Sequence, residues 1–369
     1  MKTSKRKPSS YPRWFVNLTQ VFRNVLIKTE RRMVPPQIAV LEMALHFMVS
    51  RAVWAAAELN IAEHLREGPL SVDELAKLTG TDSEALYRLL RLLSEHEVFR
   101  QVRPRIFKLT ALSAVLLNES GSIRPMIRFV AGNNYWEPFS NILYSLQTGN
   151  SAVAKNSKDS FAELEKAPEL HSIFNDAMTA LSELTADAIL AAYDFSRCET
   201  VIDIGGGQGI LLSEILKRHA NCNGILFDLP QVIKKTTVLD RFPHLSSRLK
   251  LQVGDFFKAI PTGGDTYILK NIVHDWDDAH AAKMLEQIYR AMDSESKLLI
   301  IETPLTNTNR RSYSALFDVL MLVSVDGGKE RTKKEYVALL SQADFQVSRI
   351  LPTGSAMVIL ECKKRKGCI

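Results

Sequence analysis

A glycine-rich turn follows a short aliphatic run at residues 200–204. Its glycines stand at positions 205, 207 and 209, and Ile210 comes directly after them. Between a strand and a helix, such a turn lets a ligand lie close to the backbone, because glycine has no side chain in the way. A dinucleotide-binding turn would need a glycine at position 210. The spacing therefore disfavours an NAD-dependent enzyme. The turn alone is weak evidence, since glycines also turn corners in sheets that bind nothing.

Polar side chains stand at the ends of five predicted strands. They are Asp203, Asp228, Asp255, Lys270 and Glu302. Ligands of open α/β sheets bind at the carboxyl ends of the strands, so we expect these residues at one ligand-binding edge. An acid at position 228 suits the two hydroxyls of a ribose. Asp255 suits an adenine amino group, with Phe256 packed on the ring. The strand ends therefore predict a site for a ligand that contains adenosine.

One of the eight histidines follows the fourth strand closely, in the segment His274-Asp275-Trp276. The unperturbed pKa of histidine is ~6.5, so we expect a neutral imidazole at cellular pH. Such a group can take the proton from a hydroxyl, which attacks poorly until it is deprotonated. The alternative is a histidine that caps the helix predicted at 278–292. The position at a strand end makes His274 the candidate general base.

Alternating strands and helices must position these residues. We predict strands at 200–204, 223–227, 249–253, 266–271 and 297–302, with helices at 209–218, 231–240 and 278–292. This alternation indicates a parallel sheet with crossover helices. Two later runs, 345–351 and 355–362, are joined by too few residues for a parallel crossover, and should form an antiparallel hairpin. The predicted class is α/β, with a Rossmann-like sheet.

The first half of the chain has a helical pattern instead. Apolar residues recur at helical spacing over 38–66. Two capping-box patterns follow, Ser71 with Glu74 and Thr81 with Glu84. With a β-ribbon predicted over 98–109, they resemble a winged helix, which in regulators binds DNA. The second helix carries acids as well as arginines and lacks the positive excess that phosphates require. We therefore expect no nucleic-acid binding and a role in subunit pairing.

Over nearly its whole length the sequence resembles the plant caffeate and acetylserotonin type of small-molecule O-methyltransferase, and we expect a bacterial-type member. The segments that carry the resemblance are 203–209, 227–230, 254–257, 274–276 and 327–332. The resemblance implies a class I S-adenosylmethionine-dependent methyltransferase sheet. It also implies an N-terminal all-helical, winged-helix-like dimerisation domain, and hence a homodimer. The G-x-G-x-G turn is similar to the S-adenosylmethionine loop of such enzymes.

The resemblance names S-adenosylmethionine as the cofactor. The family's contacts carry over to Gly205, Asp228, Leu229, Asp255, Phe256 and Lys270, and the turn itself adds Asp203 and Gly207. The methyl group of a sulfonium is already activated, so we expect no metal.

The resemblance also makes His274 the base and supplies Glu302 and Glu330 to orient and stabilise its imidazolium. As an alternative, Glu330 would be a surface partner of its neighbours Lys329 or Arg331.

The acceptor is a small hydroxyl compound, an aromatic or lipophilic secondary metabolite. The resemblance places Phe174 and Met178 in its pocket, and Asp275 either touches it or charges the start of the next helix. Val325 and Asp326 stand where many plant members have an Asn-Pro pair, so plant substrates do not transfer. A phenol, a hydroxyindole, a polyketide and an isoprenoid alcohol all stay open. A relative that binds the cofactor but performs other chemistry is the second enzyme hypothesis, and the catalytic set argues against it.

Composition places the chain among ordinary globular proteins: it has 369 residues, of which 46% are hydrophobic and 24% charged. The net charge of +6 resides in the termini, because residues 1–29 hold seven basic side chains and no acid, and 363–366 hold four more. The N-terminus is expected to be a tail that leads into a dimerisation helix. A transit peptide and an amphipathic helix that touches a membrane are the alternatives.

We expect four segments along the chain. These are a basic tail (1–35), the dimerisation domain (36–115), connecting helices that line the acceptor pocket (116–195) and the catalytic domain (196–369). Four cysteines without a C-x-x-C pair favour a reducing compartment, and hence a cytoplasmic protein. No uncharged apolar run reaches ~18 residues, so no membrane-spanning helix is expected.

Overall fold

The computed structural model describes residues 13–154, 167–306 and 312–365, which form two compact units. The larger contains 13–26, 141–154, 185–306 and 312–365, and the smaller contains 27–140 and 167–184. Segment 116–195, expected to be one connecting region, is thus divided between them. Its first part is tied to the smaller unit, where Arg128 donates to both carboxylate oxygens of Glu58 at 2.6 and 2.9 Å. Residues 1–12 of the expected tail lie outside the described residues.

The smaller unit surrounds a three-stranded antiparallel sheet of order β1-β3-β2. Its elements, preceded by α1 (Arg13–Arg32), are α2 (Pro36–Glu58), α3 (Ile61–His64), β1 (Leu70–Ser71), α4 (Val72–Thr79), α5 (Ser83–Glu95), β2 (Phe99–Arg103), β3 (Ile106–Leu109), α6 (Ala111–Ala114), α7 (Arg124–Val130) and α8 (Asn133–Ser140). The two helices and the ribbon of the predicted winged-helix pattern are confirmed. Strand β1, which we did not predict, adds a short third strand to this mainly helical unit.

The two predicted capping boxes have different outcomes. Ser71 caps α4 through reciprocal hydrogen bonds with Glu74, and α4 ends at Gly80, whose φ is +65°. Helix α5 is capped by Asp82 rather than Thr81: the Asp82 carboxylate accepts from the backbone N–H of Ala85 at 2.8 Å. The Thr81 box is therefore wrong. A carboxylate at this position gains both the cap hydrogen bond and the attraction of the helix dipole.

Helix α2 exposes a row of large apolar side chains. They are Ile38, Val40, Leu41, Met43, Leu45, Phe47 and Met48. By length and composition alone this helix could cross a membrane, which our expectation did not anticipate. One such helix is weak evidence for a membrane span. A contiguous apolar patch of this kind also marks a surface where another protein binds.

The larger unit is built on a seven-stranded sheet of order β6-β5-β4-β7-β8-β10-β9. Its strands are β4 (Thr200–Ile204), β5 (Asn223–Asp228), β6 (Leu249–Val253), β7 (Thr266–Lys270), β8 (Lys297–Glu302), β9 (Phe345–Pro352) and β10 (Val358–Lys364). Its helices are α9 (Ile142–Thr148), the end of α10 (Pro168–Ala192), α11 (Ile210–Arg218), α12 (Pro230–Lys235), α13 (Val238–Arg241), α14 (Asp278–Ala291), α15 (Tyr313–Ser324) and α16 (Lys333–Gln342). Strands β4 to β8 are parallel, and β10 is antiparallel to β8 and β9. The predicted Rossmann-like sheet with a C-terminal hairpin is confirmed.

Helices cover both faces of this sheet. In β4, Ile202 and Ile204 belong to a core with α14 and α16, while Val201 belongs to a second core with α11. Successive side chains of a strand point to opposite faces, so a strand buried on both sides must be apolar at almost every position. This is why short continuous aliphatic runs marked the strands so well in the sequence.

One predicted helix is wrong. The segment 231–240 forms two short helices, α12 and α13, because Thr236 has extended backbone angles, φ −71° and ψ 136°. Two consecutive threonines stand at this break, and β-branched side chains are weak helix formers.

The described cysteines, Cys198, Cys222 and Cys362, are buried and free. Cys368 lies outside the described residues.

Candidate active site

The glycine turn has the backbone shape that its spacing predicted. Gly205, Gly207 and Gly209 have φ of +65°, +58° and +66°, in the left-handed region that other residues rarely adopt. A Cβ at position 205 would lie 2.6 Å from Ile272 Cδ1, whereas one at 207 would have nothing within 4 Å. The backbone at Gly207 is therefore open to a ligand.

Asp228 lies beside this opening, at the end of the neighbouring strand β5. Its Oδ2 accepts from the backbone N–H of Gly207 at 2.8 Å, and its Oδ1 accepts from that of Leu229 at 2.7 Å. Burial raises the pKa of Asp228, and these two hydrogen bonds oppose the shift. A carboxylate has about four acceptor positions, so both oxygens keep capacity for the hydroxyls of a ligand.

Asp203 is the next-to-last residue of β4 and Lys270 is the last residue of β7, and the two strands are neighbours in the sheet. Asp203 is 3% exposed. Burial raises its pKa to about 7 against the opposing charge of Lys270. Burial likewise lowers the pKa of Lys270 to about 8, and Asp203 opposes this. The two charges stabilise each other at the base of the ligand-binding edge.

Asp255 and Phe256 follow strand β6. The Oδ1 of Asp255 accepts from the backbone N–H of Phe257 at 2.9 Å, and its Oδ2 lies 3.5 Å from Lys258 Nζ. The Phe256 ring packs edge-on against Trp276, with 5.9 Å between ring centres. An acid and an aromatic ring thus follow the third strand, as the sequence predicted.

His274 lies in a short 3₁₀ turn, Val273–Asp275, just after β7. Its Nδ1 lies 3.0 Å from Glu330 Oε1 and 3.4 Å from Glu302 Oε2, and its Nε2 lies 3.5 Å from Asp275 Oδ1. The alternative role of a helix cap is wrong, because Asp277 caps α14 and accepts from His280 N at 2.8 Å. The structure brings three predicted carboxylates, Asp275, Glu302 and Glu330, together around the His274 imidazole.

Glu302 also holds the backbone of this turn. Its Oε1 accepts from the N–H groups of Ile272 at 3.2 Å and Val273 at 2.9 Å. Among the described residues, the Oε2 atoms of Glu302 and Glu330 have no hydrogen-bond partner, although both are buried. One ligand atom from each of Glu302, Glu330 and His274 lies within 4.8 Å of the others, close enough to hold a metal ion. Two buried carboxylates therefore lie beside the imidazole, through Glu330 Oε1 and Glu302 Oε2.

The carboxylates change the proton affinity of the histidine. Burial alone would lower the pKa of His274, but Glu302, Asp275 and Glu330 outweigh burial and raise it to about 10. Burial raises the pKa of Glu302 to about 7 and that of Asp275 to about 6, and the charge of His274 opposes both shifts. The expectation of a neutral imidazole at cellular pH is therefore wrong for the free protein, because these carboxylates stabilise the imidazolium.

The segment 327–332 fixes the histidine turn from the opposite side. The N–H of Lys329 donates to His274 O at 2.8 Å. The guanidinium of Arg331 donates to Val273 O at 2.8 Å, to Trp276 O at 2.7 Å and to Asp278 Oδ1 at 2.7 Å. Arg331 is 1% exposed, and Glu330 is 4% exposed. A surface role for Glu330 is therefore wrong, because it is Asp278 that pairs with Lys329 and Arg331.

Sequence reasoning missed two residues of this site. Arg331 was considered only as a surface charge, yet it binds the backbone on both sides of the histidine. Asp318 in α15 was not considered, and its Oδ1 accepts from the backbone N–H of Glu330 at 3.1 Å. Arg331 stands in the segment 327–332, one of the segments that carry the family resemblance, and this could have indicated a role in the site. Asp318 stands in an apolar helix, where one acid usually indicates a solvent-facing position.

The predicted acceptor residues Phe174 and Met178 lie on α10 in the smaller unit. The Phe174 ring packs edge-on against Phe129 at 5.4 Å, and Met178 is half-buried. In the larger unit, Asp326 Oδ1 accepts from the backbone N–H of Ser151 at 3.4 Å. The acceptor role of Phe174 and Met178 stays a prediction.

Comparison with known proteins gives matches along nearly the whole chain. Residues 138–346 match the model of the O-methyltransferase domain, and 41–119 match that of the O-methyltransferase dimerisation domain. A phenazine O-methyltransferase of Lysobacter antibioticus is 36% identical over 89% of this chain and 97% of its own. The crystal structure of human N-acetylserotonin methyltransferase, solved with S-adenosylmethionine, has a TM-score of 0.83 at 25% identity, over 90% of this chain and 99% of that one.

A third protein was solved with two small molecules bound. It is an O-methyltransferase from neocarzinostatin biosynthesis, in complex with S-adenosylmethionine and 2-hydroxy-5-methyl naphthoic acid. Its TM-score is 0.73 at 30% identity, over 86% of this chain and 96% of that one. With both family domains matched and a relative 36% identical over most of the chain, this chain belongs to the S-adenosylmethionine-dependent O-methyltransferase family.

Proposed function

We propose that this enzyme methylates a phenolic hydroxyl of an aromatic secondary metabolite, with His274 as the general base. The observation that carries the proposal is the contact of the His274 imidazole with two buried carboxylates. Nδ1 lies 3.0 Å from Glu330 and 3.4 Å from Glu302. The carboxylates on Nδ1 leave Nε2 as the atom that meets the acceptor hydroxyl.

The ligand-binding edge fits S-adenosylmethionine. Gly207 offers open backbone, and Asp228 beside it keeps acceptor capacity for two ribose hydroxyls. We assign Asp203, Gly205, Leu229, Asp255, Phe256 and Lys270 to the same site. When bound, the cofactor supplies an electrophilic methyl group on a positively charged sulfur, so the chain's own residues have to provide binding, orientation and a base.

His274 takes the hydroxyl proton at Nε2 and becomes an imidazolium that Glu302 and Glu330 stabilise. Both carboxylates are buried and lie within 3.4 Å of Nδ1, so the positive charge forms where two negative charges are already in place. General-base assistance of this kind contributes about 10²–10⁴-fold to the rate.

The proton affinity of His274 favours a phenol over an aliphatic alcohol. Its pKa is raised to about 10. The pKa of a phenol such as tyrosine is about 10, so the proton moves between them at little cost. An aliphatic hydroxyl resembles water, whose pKa is about 15.7, and would give up its proton far less readily. The phenazine and naphthoic acid named for two relatives are aromatic, which supports the same class.

Three further expectations belong to this proposal. Phe174, Met178 and Asp275 contact the acceptor, the enzyme is a homodimer and it acts in the cytoplasm. The match to the family's dimerisation domain supports the homodimer.

Replacing the base tests the mechanism. His274→Gln keeps a polar side chain of similar size but cannot take the proton, so we expect kcat to fall by about 10²–10⁴-fold. The dissociation constant for S-adenosylmethionine, measured by calorimetric titration, should stay unchanged. His280→Gln is the matched control, since this histidine is exposed on α14. Full activity of His274→Gln would refute the base, and saturable NAD binding without S-adenosylmethionine binding would refute the cofactor.

A screen with labelled methyl donor tests the acceptor class. Phenols and hydroxylated fused aromatics should be methylated, while aliphatic alcohols of similar size should not. Turnover restricted to aliphatic alcohols would contradict the proposed substrate class and leave the methyltransferase assignment intact.

A further inference from the structure

Helix α1 has an apolar face that is exposed to solvent. The large apolar side chains recur at helical spacing, and each is 44–62% exposed: Leu18, Val21, Phe22, Val25 and Leu26. Leu18, Phe22 and Leu26 line a shallow depression together with Thr19 and Arg23 of the same helix. All five residues that line this depression thus belong to α1. An apolar strip of this size needs an occupant.

The charge of the same segment is one-sided. Residues 1–32 contain nine lysines and arginines and a single acid, Glu30, and Arg31 and Arg32 end the helix. Arg23 and Lys28 flank the apolar strip, on turns of the helix that also carry Phe22 and Leu26. A basic polar side with phenylalanine and leucine on the other is the composition of helices that lie in the interface of an anionic bilayer.

Helix α2 provides the contrast. It too exposes apolar side chains, but it enters the dimerisation domain, whose match begins at residue 41. Helix α1 lies before that match. If two copies of α1 paired along their apolar strips, the basic residues of both would approach each other, with a single acid in each helix, Glu30, to compensate. Charge complementarity therefore favours an anionic surface over a second α1.

We propose that α1 docks the enzyme on membranes that contain anionic phospholipids. The apolar strip enters the boundary between headgroups and acyl chains, and the lysines and arginines bind the headgroup phosphates and carboxylates. Apolar insertion and electrostatic attraction together are needed for stable attachment, since either alone gives only weak binding. A lipophilic acceptor dissolved in the bilayer would then be within reach of the docked enzyme.

Co-sedimentation of the full-length protein with vesicles tests this docking. One set of vesicles contains phosphatidylcholine alone, and the other contains about a third phosphatidylserine. We expect the protein to bind the anionic vesicles and to bind the neutral vesicles about tenfold or more weakly. Binding to the anionic vesicles should weaken by the same factor in about 0.5 M salt, because salt screens the attraction between charges.

Two variants separate the contributions. Phe22→Ser with Leu26→Ser should abolish binding to both sets, while Arg23→Gln with Lys28→Gln should weaken binding to the anionic set alone. Leu78→Ser is the control, because this leucine is 56% exposed on α4 and lies outside the strip. All variants should keep wild-type methyl transfer to a water-soluble acceptor, which shows that they fold.

Either of two results would overturn the proposal. One is wild-type protein that stays in the supernatant with both kinds of vesicle. The other is a Phe22/Leu26 double variant that still sediments with anionic vesicles but is monomeric by light scattering. That result would make the apolar strip a contact between subunits.

Discussion

His274 is surrounded by more negative charge than one imidazolium can neutralise. Glu302 and Glu330 approach Nδ1, and Asp275 approaches Nε2. Such an arrangement makes the histidine a strong base but also keeps it protonated in the free protein. The base becomes available only when the imidazolium releases its proton, so catalysis should depend on pH in a specific direction.

We expect kcat/KM to rise with pH between 7 and about 10, by up to about tenfold per pH unit, because only the neutral imidazole accepts a proton. The pKa of His274 is raised to about 10, which places the plateau near that pH. In Glu330→Gln the amide still accepts from Nδ1 but its charge is lost. The pKa of His274 should fall, and the plateau should begin about 1–3 pH units lower, with a smaller maximum.

The control for this profile is Glu335→Gln. Glu335 stands near Glu330 in sequence but completes the capping box of α16 with Thr332, and its amide replacement can still accept from Thr332 N. Its profile should match the wild type. Identical profiles for wild type and Glu330→Gln would show that Glu330 does not set the proton affinity of the base.

At the scale of elements, the site depends on how the segment 327–332 meets the turn that carries His274. Gly327 has a φ of +75°, and a Cβ on Gly328 would lie 3.3 Å from His274 O. The two glycines therefore allow the close approach that brings Lys329 N to His274 O and Glu330 to Nδ1. Arg331 completes the contact by binding carbonyls on both sides of the histidine.

Replacing Arg331 should disturb the position of His274 without touching the cofactor residues. A lysine is a point charge and cannot bind Val273 O, Trp276 O and Asp278 together as the planar guanidinium does. We expect Arg331→Lys to lower kcat about tenfold with little change in cofactor affinity. The free energy of unfolding should fall by about 1–3 kcal/mol, because a buried carbonyl loses its donor.

Lys329→Gln is the matched control for Arg331→Lys. It removes the exposed pair with Asp278, which contributes at most about 1 kcal/mol, and keeps the backbone donor to His274. Equal effects of the two substitutions on kcat would contradict a positioning role for Arg331.

At the scale of the whole molecule, the smaller unit leaves large apolar side chains of α2 exposed to solvent. Val40 and Leu41 are 63% and 53% exposed, and the helix enters the matched dimerisation domain. Exposing several large apolar side chains to water is unfavourable, and a partner subunit that buried them would stabilise the protein. The apolar face therefore supports the proposed homodimer.

Leu41→Glu with Phe47→Glu should convert the dimer to a monomer, because two buried carboxylates would have no partners in the interface. Light scattering on a sizing column gives the mass directly. Leu146→Glu is the control: this leucine is 64% exposed on α9, outside the dimerisation match. A double variant that stays dimeric would exclude α2 as the main contact.

The sequence alone determined the sheet and its ligand-binding edge. Strands buried on both faces need continuous aliphatic runs, and the carboxyl ends of parallel strands share one edge, so Asp203, Asp228 and Lys270 could be placed from local pattern. The tertiary structure decided what surrounds His274. Glu330 and Arg331 come from a distant segment, and only folding buries them. The proton affinity of the histidine depends on that burial and on distances to three carboxylates, which no local pattern of residues encodes.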